Sequence, residues 1–204
     1  MLYAIIDPSK TDDLEKTTRA ILRGGASLIQ LRAKASSTRE VLAKARLVGA
    51  ICGEYDVPFI VNDRLDVALA CGADGVHLGP DDLPVEAARE IVGDDFVIGA
   101  SAGTPEAARQ KAEAGADYLG SGAVFEARPS KADASAPRGP QALAAIVETV
   151  DIPVYGIGGI NAENAAQVMD AGAAGVAVIR ALLDADDPEA AARHLCRNLS
   201  DAGA

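Results

Sequence analysis

FIVNDRLDVALACGADGVHLGPDDLP, residues 59–84, carries the pattern from which the fold follows. An apolar run, Phe59-Ile60-Val61, ends abruptly in Asn62-Asp63, and a second short run, Gly75-Val76-His77-Leu78, ends in Gly79-Pro80-Asp81-Asp82. Between them Leu65, Val67, Ala68, Leu69 and Ala70 predict a short helix closed by Gly72. The unit is therefore strand, helix, strand, with carboxylates after both strands. In a parallel α/β sheet both strand ends open on one face, which brings Asp63 close to Asp81 or Asp82. Two converging carboxylates beside a glycine turn suit a hard divalent cation, which takes oxygen ligands.

The same unit recurs along the chain. Gly24-Gly-Ala-Ser-Leu-Ile-Gln-Leu-Arg32 resembles Cys71-Gly-Ala-Asp-Gly-Val-His-Leu-Gly79, and two further copies begin at Ala114 and Ala171. Each copy starts with a glycine able to end a helix in the left-handed conformation and passes into a short apolar strand. Four more strand-like runs lie at residues 2–6, 58–61, 96–100 and 153–157. Helical patterns alternate with them at about 11–23, 38–53, 64–71, 84–92, 104–114, 140–149, 161–171 and 187–200, some with clear starts. Thr104-Pro105-Glu106 places proline in the first turn after a threonine cap, and Asp187-Pro188-Glu189 does the same for the last helix. Eight alternations without a linker or a second composition zone predict a single-domain (β/α)8 TIM barrel over residues 1–204, with an open doubly wound sheet as the alternative.

A barrel of this kind builds its site where strands end and βα loops begin. Those positions hold Asp7, Gln30, Arg32, Asn62, Asp63, His77, Asp81, Asp82, Ser101, Gly122, Lys131, Gly158, Gly159, Ile179 and Arg180. The opposite ends hold Gly-Ala, Val-Pro and Ile-Pro junctions suited to structural turns. Residues 122–139, GAVFEARPSKADASAPRG, show no apolar periodicity and are longer than the neighbouring connections, as a lid or phosphate grip would be.

Composition narrows the function classes. With 204 residues and 49% hydrophobic side chains the chain can bury a sizeable core, and at 3% aromatics that core should be aliphatic. A net charge of −11 opposes a nucleic-acid surface, which relies on clustered lysine and arginine. Cys52, Cys71 and Cys196 lack metal-ligand spacing and read as reduced thiols of a cytosolic protein. The first ten residues lack the charged and apolar regions of a signal peptide, so a cytoplasmic location is expected. A homo-oligomer is compatible with these features, and a membrane partner is not expected.

Gly156-Ile-Gly158-Gly159-Ile160-Asn161 ends a strand and opens a helix, so its backbone N–H groups can line an anion-binding hollow. With Val178 and Ile179 at the end of the next strand it occupies the place of the barrel phosphate site. Arg32 ends a strand beside Gln30, where a planar guanidinium could hold a diphosphate by two hydrogen bonds. Lys131 is a second cation of the acidic mouth. His77 lies within a strand and can serve as a hydrogen-bonded wall or as a proton carrier, whereas His194 lies in the last helix and takes no role. No Ser-His-Asp or Cys-His constellation is legible.

At these residues the chain closely resembles the thiamine-phosphate synthase (thiamine monophosphate pyrophosphorylase) family. The likeness runs through LYAIID at 2–7, GGASLIQLRAK at 24–34, residues 61–84, IGASAGTPEAA at 98–108, GADYLGSGAVF at 115–125, SKADA at 130–134 and residues 155–182. It implies the joining of hydroxymethylpyrimidine diphosphate to hydroxyethylthiazole phosphate, with release of pyrophosphate. By the same resemblance Asp63 and Asp82 would hold Mg2+, and Gln30, Arg32, Asn62 and Lys131 would contact the diphosphate. Ser101 would lie near the pyrimidine and the leaving group, with Arg32, Ser101 and Lys131 as the catalytic set. His77 and Ser130 would join the substrate-binding residues. Gly158 and Gly159, with the backbone around Val178 and Ile179, would take the thiazole phosphate.

Three positions depart from the family pattern. The family's Thr-x-Thr-Lys run is Ala127-Arg-Pro-Ser130-Lys131 here, so Ser130 supplies one hydroxyl of two. Pro80-Asp81 replaces a frequent Gln-Glu, and Arg180 stands where a small hydroxyl residue is common. Related barrels resembling thiazole tautomerase share the glycine-rich turn and carry a histidine where this chain has Ala123. A non-catalytic phosphate-ligand barrel is the third reading.

Overall fold

The computed structural model describes residues 1–126 and 136–202. Eight parallel strands form the centre: β1 (Leu2–Ile6), β2 (Leu28–Leu31), β3 (Phe59–Asn62), β4 (Gly75–Leu78), β5 (Val97–Ser101), β6 (Tyr118–Gly122), β7 (Val154–Ile157) and β8 (Gly175–Val178). They pair in chain order, and β8 closes on β1 with Leu2 opposite Val176. The closed barrel excludes the open sheet. Helices α1 (Leu14–Arg23), α2 (Thr38–Glu54), α3 (Leu65–Cys71), α4 (Val85–Val92), α5 (Pro105–Glu113), α6 (Gly139–Val147), α7 (Ala165–Asp170), α8 (Arg180–Leu183) and α9 (Pro188–Ala202) surround it.

Local chemistry sets the element ends. Gly25, Gly72, Gly115 and Gly172, the shared glycines of the repeat, have φ of 101°, 71°, 96° and 84°. An L side chain is strained in that region, so the repeat is a repeated turn requirement. Ser37 and Glu40 form a reciprocal capping box on α2, and Thr104 caps α5 by accepting from Ala107 N–H. The start expected at 161 is displaced. Asn161 accepts from the N–H groups of Glu163 and Asn164 in a turn of its own, and α7 begins at Ala165. The strand expected to reach 179 ends at Val178, and the four-residue α8 follows, too short to show a helical period in the sequence.

Strand alternation divides the core into two layers. Ala4, Ile6, Ile29, Leu31, Val61, Val76, Ile98, Leu119 and Val176 face outward and meet the helices in an aliphatic layer. Tyr3, Ile5, Leu28, Ile60, Tyr118, Tyr155 and Ala177 face the barrel axis. The aliphatic expectation therefore holds for the outer layer and fails at the centre, where Tyr3, Tyr118 and Tyr155 pack edge to face with ring centroids 5.5–5.8 Å apart. Space for these rings comes from glycine: a Cβ on Gly99 would lie 2.0 Å from Tyr118 Cζ.

Candidate active site

The alternation that buries Tyr3, Ile5 and Leu28 also aims Asp7, Gln30, Arg32, Asn62, His77 and Ser101 toward the axis, at successive heights below the mouth. Arg32 Nη1 lies 3.4 Å from Asp7 Oδ2. The guanidinium is nine-tenths buried, and among the described residues its Nη2 is the one buried side-chain nitrogen or oxygen without a hydrogen-bond partner. A buried cationic donor left open is costly unless an acceptor arrives. Gln30 is also buried, but it points down the barrel, where its Nε2 donates to the Tyr3 hydroxyl.

Asp63 follows β3 at φ 66°, unusual for a residue with a side chain. Its N–H continues the ladder to His77 O at 2.8 Å, and Arg64 N–H closes a three-residue turn on Asn62 O at 2.8 Å. That turn throws the carboxylate sideways onto the end of β4. Asp82 is the acid it meets there, while Asp81 is exposed, so of the two acids that strand geometry left open the nearer is the one the family resemblance names. Asp82 is aimed by Gly79 N–H, which donates to its Oδ2 at 2.7 Å. A Cβ on Gly79 would sit 2.9 Å from that oxygen. Burial raises the Asp63 pKa first, the adjacent Asp82 raises it further, and Lys34 at 3.2 Å opposes both. Asp63 thus resists ionisation in this position. Lys34 lies just inside the matching GGASLIQLRAK run but carried no assigned role in the sequence.

His77 stands on the opposite side of the tyrosines from Gln30. Its Nδ1 is 3.1 Å from Tyr118 Oη, and its Nε2 is 3.0 Å from Ser101 Oγ. Burial pushes its pKa down to about 4, against a smaller opposing pull from Asp82, so the ring is neutral at pH 7. The imidazole is thus a hydrogen-bonded part of the barrel wall, between Tyr118 and Ser101. Tyr3 and Tyr118 were missed as site residues. Their signal was parity alone: Tyr3 shares the inward phase of Asp7, and Tyr118 that of Gly122.

At the far side of the mouth, Gly158 and Gly159 take φ of 98° and 66°. The first described residues of the long loop lie directly on them. Val124 and Phe125 N–H groups donate to Ile157 O and Gly158 O at 2.9 and 3.0 Å, and a Cβ on Gly159 would strike the Phe125 and Glu126 backbone at 2.7 Å. Val178 is buried with its side chain in the outer layer, and Ile179 packs at the edge of the axial cluster. Arg180, in α8, pairs through Nε with Asp184 at 2.7 Å. The base of the loop is pinned by Arg138 and Gly139 N–H groups on Ala123 and Val124 carbonyls. This brings the Arg138 guanidinium within 2.7 Å of where a Gly103 Cβ would stand, next to the end of β5. Arg138 is a mouth cation that the sequence hid in an aperiodic run. Ser130 and Lys131 lie outside the described residues.

Among the described residues no group of three or more His, Cys, Asp or Glu side chains is arranged to hold a metal ion. Among those residues Asp63 and Asp82 bring two hard carboxylate donors together, a chemistry that suits a hard cation such as Mg2+. No helix of the described residues is long and apolar enough to cross a membrane.

A closed parallel (β/α)8 barrel with polar groups gathered at the carboxyl ends of the strands defines a TIM-barrel protein with its candidate site at that end. Residues 2–182 match the family model described as thiamine monophosphate synthase. Thiamine-phosphate synthase of Roseiflexus sp. (strain RS-1) is 48% identical over 96% of this chain and 83% of its own length. That of Haloarcula marismortui is 54% identical over 85% of this chain and 83% of its own length. The solved thiamine phosphate pyrophosphorylase from Pyrococcus furiosus superposes with a TM-score of 0.91 at 42% identity, covering 98% of this chain and 96% of that one. The chain belongs to the thiamine monophosphate synthase family and is a transferase.

Proposed function

We propose that this barrel couples hydroxymethylpyrimidine diphosphate to hydroxyethylthiazole phosphate, forming thiamine monophosphate and releasing pyrophosphate. The observation that carries this reading is the open Nη2 of buried Arg32 across a mouth that also holds the paired carboxylates Asp63 and Asp82. A diphosphate leaves readily only when its growing negative charge is neutralised. Arg32 supplies a preorganised fork for it, and Asn62 lies one strand away; Lys131 and Ser130 would close over it from the long loop. Asp63 and Asp82 would hold Mg2+, which would supply Lewis-acid neutralisation of the charge growing on the leaving diphosphate.

Departure of pyrophosphate leaves a cation at the pyrimidine methylene, and the lone pair of the thiazole nitrogen then forms the new carbon–nitrogen bond. No enzyme nucleophile is needed, in keeping with the absence of a legible nucleophile–base pair in the sequence. Neutral His77 and Ser101 would form the polar wall against the pyrimidine, and the aromatic floor would exclude water that could capture the cation. The turn at Gly158 and Gly159, with the backbone at Val178 and Ile179, would receive the thiazole phosphate. Ala123 cannot carry the proton assigned to a histidine in tautomerase-like barrels.

Supplying both substrates with Mg2+ and measuring pyrophosphate and thiamine monophosphate tests the proposal. Isomerisation of the thiazole without coupling would select the tautomerase reading, and binding without turnover a phosphate-ligand barrel. Coupling unaffected by chelation of divalent cations would remove the metal from the scheme.

A further inference from the structure

A file of hydrogen bonds crosses the barrel axis from Gln30 to Ser101, and pairing every hydrogen along it selects one polarity. Gln30 presents its Nε2 to Tyr3 Oη. An amide nitrogen can only donate, so the Tyr3 oxygen accepts there. Tyr3 has one hydrogen of its own, and the Tyr118 oxygen lies 2.7 Å away to receive it. The Tyr118 hydrogen is then directed to His77 Nδ1 at 3.1 Å. A neutral imidazole that accepts at Nδ1 carries its hydrogen at Nε2, which faces Ser101 Oγ at 3.0 Å. Ser101 therefore accepts from the imidazole, and its own hydrogen is left for a group in the mouth.

We propose that Gln30, Tyr3 and Tyr118 act as a directional relay that holds His77 in its Nε2–H tautomer and thereby presents Ser101 as a hydrogen-bond donor to the bound ligand. Tyr3 and Tyr118 are positioning residues: they work through His77 and Ser101. The relay is held rigidly. Tyr3 and Tyr118 are 1% and 5% exposed, their rings meet edge to face, and the missing Cβ of Gly99 leaves the Tyr118 ring its one berth. A Cβ on Gly120 would lie 3.2 Å from His77 Cε1, so the imidazole is confined from that side as well. The groups at both ring nitrogens are hydroxyls, so the relay concerns where a hydrogen sits and not a change of charge. In a buried file a single reversed hydroxyl sets two donors face to face, so the orientation at one end is transmitted to the other.

A donor at Ser101 selects an acceptor atom on the ligand. Under the reaction proposed above this is a ring nitrogen of the pyrimidine or an oxygen of its diphosphate. That use of the relay rests on the proposed reaction; its polarity does not.

The decisive measurement is the side-chain ¹H–¹⁵N correlation spectrum of the full chain labelled at histidine, with His194→Gln used to leave His77 as the one signal. Wild type should show Nδ1 unprotonated and Nε2 protonated. Gln30→Glu places an acceptor-only carboxylate beside Tyr3, which should reverse every hydrogen bond and give the Nδ1–H tautomer. Tyr118→Phe keeps the ring and its packing, so it remains informative if the glutamate variant does not fold. It should give a mixture of tautomers and lower kcat/KM about tenfold. An Nδ1–H ring or a doubly protonated ring in wild type would overturn the relay, and so would a tautomer indifferent to Tyr118→Phe. The expected tautomers in a protein that couples no substrates would leave the relay standing and sink the proposed reaction. Coupling with the wrong tautomer would do the reverse.

Discussion

Asp63→Asn should separate stability from activity, because the residue combines an unfavourable backbone conformation with an unfavourable charge. At φ 66° the backbone suits asparagine about as well as aspartate, whereas alanine there costs roughly 1–2 kcal/mol. The ion pair with Lys34 stabilises little, about 0–1 kcal/mol, because the lysine is 56% exposed. Against that small loss, the neutral amide removes the repulsion from Asp82. The Asp63 pKa is raised in the folded protein, so its contribution favours folding below the unfolded carboxylate range and is lost as pH rises through the folded value. The advantage of asparagine over wild type therefore exists at neutral pH and fades on acidification. Without divalent cation at pH 7 the asparagine variant should melt at or above wild type. Alanine should melt below asparagine by about 2–8 °C for a domain of this size. Coupling activity with Mg2+ should fall about 100-fold or more in both variants. Thermal unfolding between pH 7 and 4, paired with pyrophosphate release, checks each part. An asparagine variant less stable than wild type at pH 7, or one with near-normal turnover, would refute the reasoning.

Other substitutions probe the remaining parts. His77 remains neutral in the folded chain down to about pH 4, while the unfolded chain protonates it near 6.5. Wild type should therefore lose up to roughly 3 kcal/mol from this group as pH falls across that window, and His77→Gln should flatten that part of the denaturant-midpoint profile. Arg32→Lys keeps the charge but loses the planar fork, so kcat/KM for the diphosphate substrate should drop at least about tenfold in steady-state kinetics, with little change in melting temperature. Gly99→Ala would drive a methyl group into the Tyr118 ring, 2.0 Å from Cζ, and should cost roughly 1–3 kcal/mol in equilibrium unfolding.

What the linear chain determined by itself is whatever depends on neighbours a few residues apart. The eightfold alternation, the left-handed glycines at 25, 72, 115 and 172 and the caps at Thr104 and Asp187 are local, and the barrel they imply is the barrel observed. The paired acids were legible to within one residue, because parallel strands bring their carboxyl ends together whatever their exact register. Strand alternation alone did not choose Asp82 over Asp81, although the family resemblance did; the physical reason is the Gly79 turn, which aims one carboxylate inward and leaves the other in water. Closure decided the rest. Tyr3 and Tyr118 are 115 residues apart, and Arg138 meets Gly103 across a loop with no period to read. Sequence spacing carries no record of such contacts. They arise when the eighth strand meets the first and inward side chains from separate strands have one axis to share.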